Sequence, residues 1–215
     1  MMAKLSLQDL IPPIVQKLLN ASLTVEKSDP EALFDGDDLK FKEIVKKAAV
    51  YAEYGCGAST VWVNRNCACT ILSVDSSPHW IDSVKAGCDG LENTVLHHVD
   101  LGKLGEWGKP KGYVMAKNFE EYREWIWVQE HSPDVVLIDG RFRVACSLTS
   151  FTMGEEGTVI IFDDYTDRQH YHVVEELIKP ETYAGRQAIF RVSASDRKKR
   201  AVIRKLTEKF EYVMD

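Results

Sequence analysis

The chain has no apolar run approaching the roughly 20 residues that cross a bilayer. Its first ten residues carry scattered polar side chains where a secretory leader has an apolar core. It also lacks any Cys-x-x-Cys pair. Its five cysteines (Cys56, Cys67, Cys69, Cys88 and Cys146) are odd in number and have no histidines at ligand spacing, which argues against a disulfide framework and a zinc ribbon. They read as small apolar residues of a reduced compartment, so the cytoplasm is the expected location and no membrane partner is expected. Basic charge is not in excess. A net charge of -6 speaks against a general nucleic-acid binder, and Arg197-Lys198-Lys199-Arg200 reads as a solvated turn before a helix. No linker, repeat or low-complexity stretch divides the 215 residues. The expectation is a single domain over 1–215, with N-terminal helices over 1–47 and a sheet core over 48–193.

What the chain does contain is alternation. Residues 7–20 place Leu10, Ile14, Leu18 and Leu19 on one helical face, with Pro12 and Pro13 in the first turn or splitting the helix. Asp37 or Asp38 is set to cap a second helix running to about Lys47. From there strands are expected over 49–54, 69–74, 94–99, 134–138 and 158–162. Helices are expected over 58–66, 78–87, 118–130, 144–153 and 168–178. Runs such as Val-Val-Leu-Ile lack polar alternation, as central parallel strands buried on both faces must. Five strand–helix units imply a doubly wound α/β sheet with right-handed crossovers. Residues 181–192, broken by Gly185-Arg186, suit an antiparallel edge hairpin, and 200–213 has helical apolar spacing.

The most specific signal is Glu53-Tyr54-Gly55-Cys56-Gly57-Ala58-Ser59-Thr60, which follows the first strand. Gly55 and Gly57 let a ligand approach the backbone, and the small residues after them open a helix whose N–H groups face the same crevice. Further acids stand at the following strand ends: Asp75, Asp100, Asp139 and the pair Asp163-Asp164. In open α/β sheets ligands bind at those ends. Asp75, 20 residues past Gly55, is spaced to accept ribose hydroxyls. Two cofactor classes share this geometry. A dinucleotide prefers a third glycine, where this chain has Thr60. S-adenosylmethionine has no phosphate, and it wants an acid before the glycines and further carboxylates for its ammonium and adenine groups, which Glu53, Asp100 and Asp139 supply.

Glu53 to Gly57, Asp75, Asp100 and Asp139 together resemble the motif series of class I S-adenosylmethionine-dependent methyltransferases over about residues 40–193. Trp107-Gly108-x-Pro110, Asp139-Gly140-Arg141-Phe142-Arg143-Val144 and Phe162-Asp163-Asp164-Tyr165 resemble a narrower group of bacterial methyltransferase-like proteins. The resemblance implies a Rossmann-like methyltransferase fold: a seven-stranded, mostly parallel sheet in three α/β/α layers whose last strand is antiparallel. It implies that Gly55 and Gly57 line the methionyl part of the cofactor, Asp75 the ribose and Asp100 the adenine, with His98 a competitor for that last role. Glu53, Gly55, Cys56, Gly57, Ser59, Asp75, Ser76, Asp100 and Asp139 are thus the expected cofactor residues.

Methyl transfer asks chiefly for alignment and exclusion of water, so no base is compulsory. Asp139 and Asp164 are the carboxylates expected at the reacting centre. Arg141, Arg143 and Trp107 are expected to meet a small-molecule acceptor. Asp139, Asp163 and Asp164 could share a divalent cation, as a similar trio does in catechol-type O-methyltransferases. The favoured expectation is that no metal is held: Arg141 or Arg143 turns inward to neutralise the acids. The alternatives are a nicotinamide-dependent oxidoreductase of Rossmann type and a non-catalytic protein that binds S-adenosyl ligands.

Overall fold

The computed structural model describes residues 32–215 except Asp37. The helix expected over residues 7–20 lies outside them. Seven strands form one sheet, in the order β3-β2-β1-β4-β5-β7-β6. They are β1 (Val50–Tyr54), β2 (Thr70–Asp75), β3 (Thr94–His98), β4 (Val135–Ile138), β5 (Val159–Phe162), β6 (Thr182–Ala184) and β7 (Gln187–Arg191). The first five are parallel; β7 runs antiparallel to β5 and closes a hairpin with β6 around Gly185-Arg186.

Strand side chains alternate between two cores because the strand period is two residues. Ala52, Tyr54, Leu72, Val74, Val136, Ile138, Ile160 and Phe162 face one way. There they are covered by α5 (Arg143–Met153) and by Ile203 of α7 (Arg200–Phe210). Tyr51, Ile71, Val135, Leu137 and Ile161 face the other way, onto Phe41 and Val45 of α1 (Leu39–Val45) and Trp62 and Val63 of α2 (Ala58–Asn66). Ile81 and Val84 of α3 (Pro78–Gly87) form a smaller cluster with Cys56. The remaining α-helices among the described residues are α4 (Phe119–Glu124) and α6 (Ala194–Lys198). Among the described residues no helix is long and apolar enough to cross a membrane. All five cysteines are free thiols.

Three expected elements come out differently. The helix expected over 118–130 ends at Glu124 and continues as a 3-10 turn, Trp125–Trp127. Its Arg123 carbonyl, which an α-helix would give to residue 127, accepts the Tyr54 hydroxyl instead, and the Trp127 indole N–H donates to that same hydroxyl. The helix expected over 168–178 is a 3-10 segment, Gln169–Glu176. The strand expected over 69–74 begins one residue later, at Thr70: Cys67 caps the end of α2 and Cys69 is buried in the α2-side core.

Candidate active site

Strand order reverses at β1, whose neighbours are β2 on one side and β4 on the other, and the crevice at their carboxyl ends is where an open α/β sheet takes its ligand. Asp75 ends β2, Asp139 follows β4 and Asp163 follows β5, so the parallel strands carry all three acids to one end of the sheet.

The two loop glycines have different work. Gly55, at φ +88°, sits against the backbone of the β4 loop; a Cβ there would lie 2.7 Å from the Gly140 Cα. The contact is mutual, since a Cβ on Gly140 would overlap the Tyr122 hydroxyl and stand 2.7 Å from the Gly55 nitrogen. Gly57 is extended, and a Cβ built on it would meet nothing within 4 Å. Gly55 therefore packs the two loops together, and Gly57 borders open space.

Glu53 is fully buried beneath the first turn of α2. Its Oε2 accepts the hydroxyls of Tyr51 and Ser59, each at 2.8 Å, and its Oε1 accepts the Thr60 hydroxyl. Thr60 in turn accepts the Gly57 N–H at 2.9 Å. Burial pushes the Glu53 carboxyl up, against these donors. Glu53 and Ser59 are thus bonded to each other beneath the loop they support. The reason is the strand period: Glu53 shares its face with Tyr51, on the α2 side of the sheet.

Asp75 is 7% exposed. Its carboxylate accepts the Cys56 N–H at 2.9 Å and the Ser77 N–H at 2.6 Å, so it ties the glycine loop to the turn after β2. Burial raises its carboxyl in spite of these bonds. Ser76 donates its hydroxyl to the Gly108 carbonyl at 3.0 Å, which fastens the loop carrying Trp107 over the same turn. Trp107 is 75% exposed, in a left-handed backbone conformation (φ 56°). Asp100 lies two residues beyond β3, exposed, with Oδ1 taken by the Gly102 N–H at 2.8 Å. His98 pairs with the Ser76 carbonyl at 3.1 Å.

At β4 and β5 the acids are neutralised by arginines. The Arg143 guanidinium is buried and all five of its N–H groups are placed: on the carbonyls of Gly140, Asp139 and Asp163, and on the carboxylates of Asp139 (2.9 Å) and Asp164 (3.1 Å). With no donor left, Arg143 cannot grip a substrate, contrary to expectation. Arg186 forks onto the fully buried Asp163 at 3.0 and 2.6 Å, and the Gln187 amide adds a third donor at 3.1 Å. Arg168 meets Asp164 at 2.7 Å. The role of Arg186 was not visible in the sequence as a site feature; its only trace was a place in the turn of a hairpin. Burial pushes the Asp139 carboxyl up to about 7; Arg143 opposes the shift, and Asp163 and Asp164 add to it. Arg141 turns elsewhere, to the Asp215 carbonyl at 2.8 Å.

One oxygen from each of Asp139, Asp163 and Asp164 lies within 4.8 Å of the others, close enough for one cation. All three carboxylates are already paired, with Arg143, Arg168 and Arg186, whose charges match theirs, though Asp139 through one oxygen alone. The set does not suit a divalent ion. The crevice at these strand ends is bordered by Asp75 and Asp139, and the glycine loop 53–60 carries no cation, which suits a positively charged ligand without phosphates.

A seven-stranded sheet in this order, with β7 antiparallel, is the Rossmann-like fold of class I S-adenosylmethionine-dependent methyltransferases. The chain is similar to a methyltransferase-like protein from Silicibacter pomeroyi DSS-3, at a TM-score of 0.66 and 28% identity over 82% of this chain and 95% of that one. Looser likenesses include an O-methyltransferase from Bacillus cereus in complex with SAH (TM-score 0.43, 16% identity, 94% of this chain and 81% of that one). Another is the O-methyltransferase TomG from Streptomyces achromogenes in complex with SAM (0.48, 11%, 84% and 96%). Likenesses that loose carry no weight for activity. No family model matches the chain, and no curated protein does.

Proposed function

We propose that this protein is an S-adenosylmethionine-dependent methyltransferase of the cytoplasm that acts on a small molecule. The observation that carries the reading is the clamp at the end of β2. A buried Asp75 holds the backbone of the glycine loop beside the open face of Gly57, with Asp139 at the end of the neighbouring β4 loop. Asp75 has lone pairs left for ribose hydroxyls, Gly57 and Cys56 border the methionyl end, and Asp139 receives the ammonium. Ser76, Asp100 and His98 stand on the adenine side, with Trp107 beside them.

When bound, the cofactor supplies an electrophilic methyl group on a sulfonium. The chain's own part is to hold acceptor and methyl group in line and to exclude water. Asp139, with its carboxyl near 7, can take a proton at its outer oxygen at neutral pH. Asp164 stands behind it through their common partner Arg143. Arg141 is the cation left to meet the acceptor.

Thr60 argues against the nicotinamide alternative. Its hydroxyl is the hinge between Glu53 and Gly57, so it serves loop support and not the close packing of a third glycine. Calorimetric titration with S-adenosylmethionine, S-adenosylhomocysteine and NAD tests the proposal: both S-adenosyl compounds bind and NAD does not. Binding of NAD alone would falsify it. With arginines in place of a cation, EDTA leaves S-adenosylhomocysteine affinity and methyl transfer unchanged; a loss restored by magnesium would overturn the metal-free assignment.

A further inference from the structure

Between Asp100 and Asn118 the chain leaves the sheet and returns as one closed lobe. The Asn118 side-chain amide donates to the Asp100 carbonyl at 2.7 Å, so the two ends of the segment meet. Within it Leu104 and Pro110 form an antiparallel bridge. The Gly105 N–H donates to the Lys109 carbonyl at 2.7 Å, and the Lys111 N–H to the Lys103 carbonyl at 2.8 Å. This narrow hairpin carries Trp107 at its tip, and Tyr113 and Val114 follow in the next bend. A long loop with joined ends is a compact surface unit, and such loops commonly carry function.

The side chains on this lobe are unusual for an exposed loop. Val114 is 91% exposed and Tyr113 58%, and the Trp107 indole stands out with them. One exposed apolar side chain is ordinary, but three on one loop mark a contact surface. Lys103, Lys109, Lys111 and Lys117 surround them in the chain, all exposed and none with an ion-pair partner among the described residues. Glu106 is the one acid between 103 and 117, in a chain whose net charge is -6. Positive charge is thus gathered on one lobe of a negative molecule. Lys111 also lays its stem along the hairpin, since a Cβ on Gly105 would lie 3.1 Å from its Cε.

The complement of such a lobe is an anionic surface that also takes apolar side chains. Nucleic acid fits less well: the lobe has no arginine to fork onto phosphates, and a valine gains nothing from a base. A lipid surface rewards every group. Valine enters it without a shaped pocket, indole and phenol rings settle at headgroup level, and lysine stems lie along the apolar layer while their ammonium groups meet anionic headgroups. We infer that residues 101–117 dock this protein reversibly on an anionic lipid surface. Ser76 holds the Gly108 carbonyl at 3.0 Å, so the lobe is fastened to the turn after β2, and docking brings that end of the sheet to the lipid. Docking of this kind needs no spanning segment, so the expectation of no membrane partner, drawn from the lack of one, does not bear on it. It stands whether or not the crevice takes S-adenosylmethionine.

Cosedimentation of the full chain with vesicles tests the inference, phosphatidylcholine alone against phosphatidylcholine with a third phosphatidylglycerol. The second binds about tenfold more tightly at low salt, and the difference shrinks as salt screens the lysines. Val114→Asp, and Lys109→Gln combined with Lys111→Gln, each lower that affinity about fivefold. Their Tm stays near wild type, because all three side chains are exposed. Vesicles with brominated acyl chains quench the tryptophan fluorescence of the wild type, and much less that of Trp107→Phe. Absence of binding to the anionic vesicles overturns the inference, as does binding that both sets of variants keep or quenching unchanged in Trp107→Phe. Tighter binding of single-stranded RNA than of the anionic vesicles overturns it in favour of nucleic acid. A dimer that Val114→Asp dissociates, and that anionic vesicles do not, overturns it in favour of a second copy of this chain. S-adenosylhomocysteine titrated into the wild type and Val114→Asp tests the cofactor reading separately, and its failure to bind leaves the vesicle comparison intact.

Discussion

Gly55 and Gly57 are two residues apart and face opposite demands. Gly55→Ala forces a Cβ into the Gly140 backbone at a positive φ. The expected cost is on the order of 3 kcal/mol, seen as a fall in Tm of roughly 6–12 °C. Gly57→Ala meets no neighbour and needs no unusual φ, so its Tm stays near wild type while S-adenosylhomocysteine affinity falls. A matched loss of stability in both variants would show that Gly57 is also a packing residue. Asp139 makes a pH prediction. Its carboxyl is raised from its ordinary value to about 7 in the folded protein, so the stability it contributes is present below about pH 4 and is lost as pH rises through 7. Asp139→Asn keeps an acceptor for Arg143 and removes the titration. The Tm of the variant should therefore gain on that of the wild type between pH 4 and 8, and parallel Tm profiles would contradict the assignment.

At the scale of elements, the β6–β7 hairpin reaches beyond its own edge of the sheet. Arg186 in its turn neutralises Asp163 at the end of β5, and the same arginine reaches Asp164. Arg186→Ala leaves a fully buried carboxylate with only the Gln187 amide among its side-chain donors. The expected destabilisation is about 3 kcal/mol, measured by urea unfolding. Lysine at 186 cannot fork onto both oxygens and should rescue only part of the loss. Strand assignments were legible because runs such as 135–138 and 159–162 are apolar on both faces, and only a central parallel strand asks for that. The break at Glu124 was not legible. The aromatic-rich stretch has helical composition, and what stops the helix is a hydroxyl from β1, 69 residues away.

For the molecule as a whole, a ligand that binds only the folded state raises its stability by mass action. S-adenosylhomocysteine at 100 times its dissociation constant should add about 2.7 kcal/mol, read as a concentration-dependent rise in Tm. Asp75→Ala should lower that rise at equal ligand concentration, because each charge-assisted ribose hydrogen bond is worth about 1.5–3 kcal/mol. An undiminished rise in that variant would move the ribose contact elsewhere.

Sequence alone determined the order of elements, the parallel centre of the sheet, and the gathering of Asp75, Asp139 and Asp163 at one end of it. Those follow from periodicity and from acids placed at strand ends, and both are local properties of the chain. Only the tertiary structure decided what each acid faces. Glu53 has the look of a ligand residue, yet it lies under α2, because strand geometry turns it to the face where Tyr51, Ser59 and Thr60 converge. Arg143 has the look of a substrate anchor, yet it is enclosed by carbonyls and carboxylates from two strand ends. Its companions Arg186 and Asp215 stand 43 and 72 residues further along the chain. A buried charge is settled by whichever partners the fold brings within about 3 Å, and no spacing along the chain records that distance.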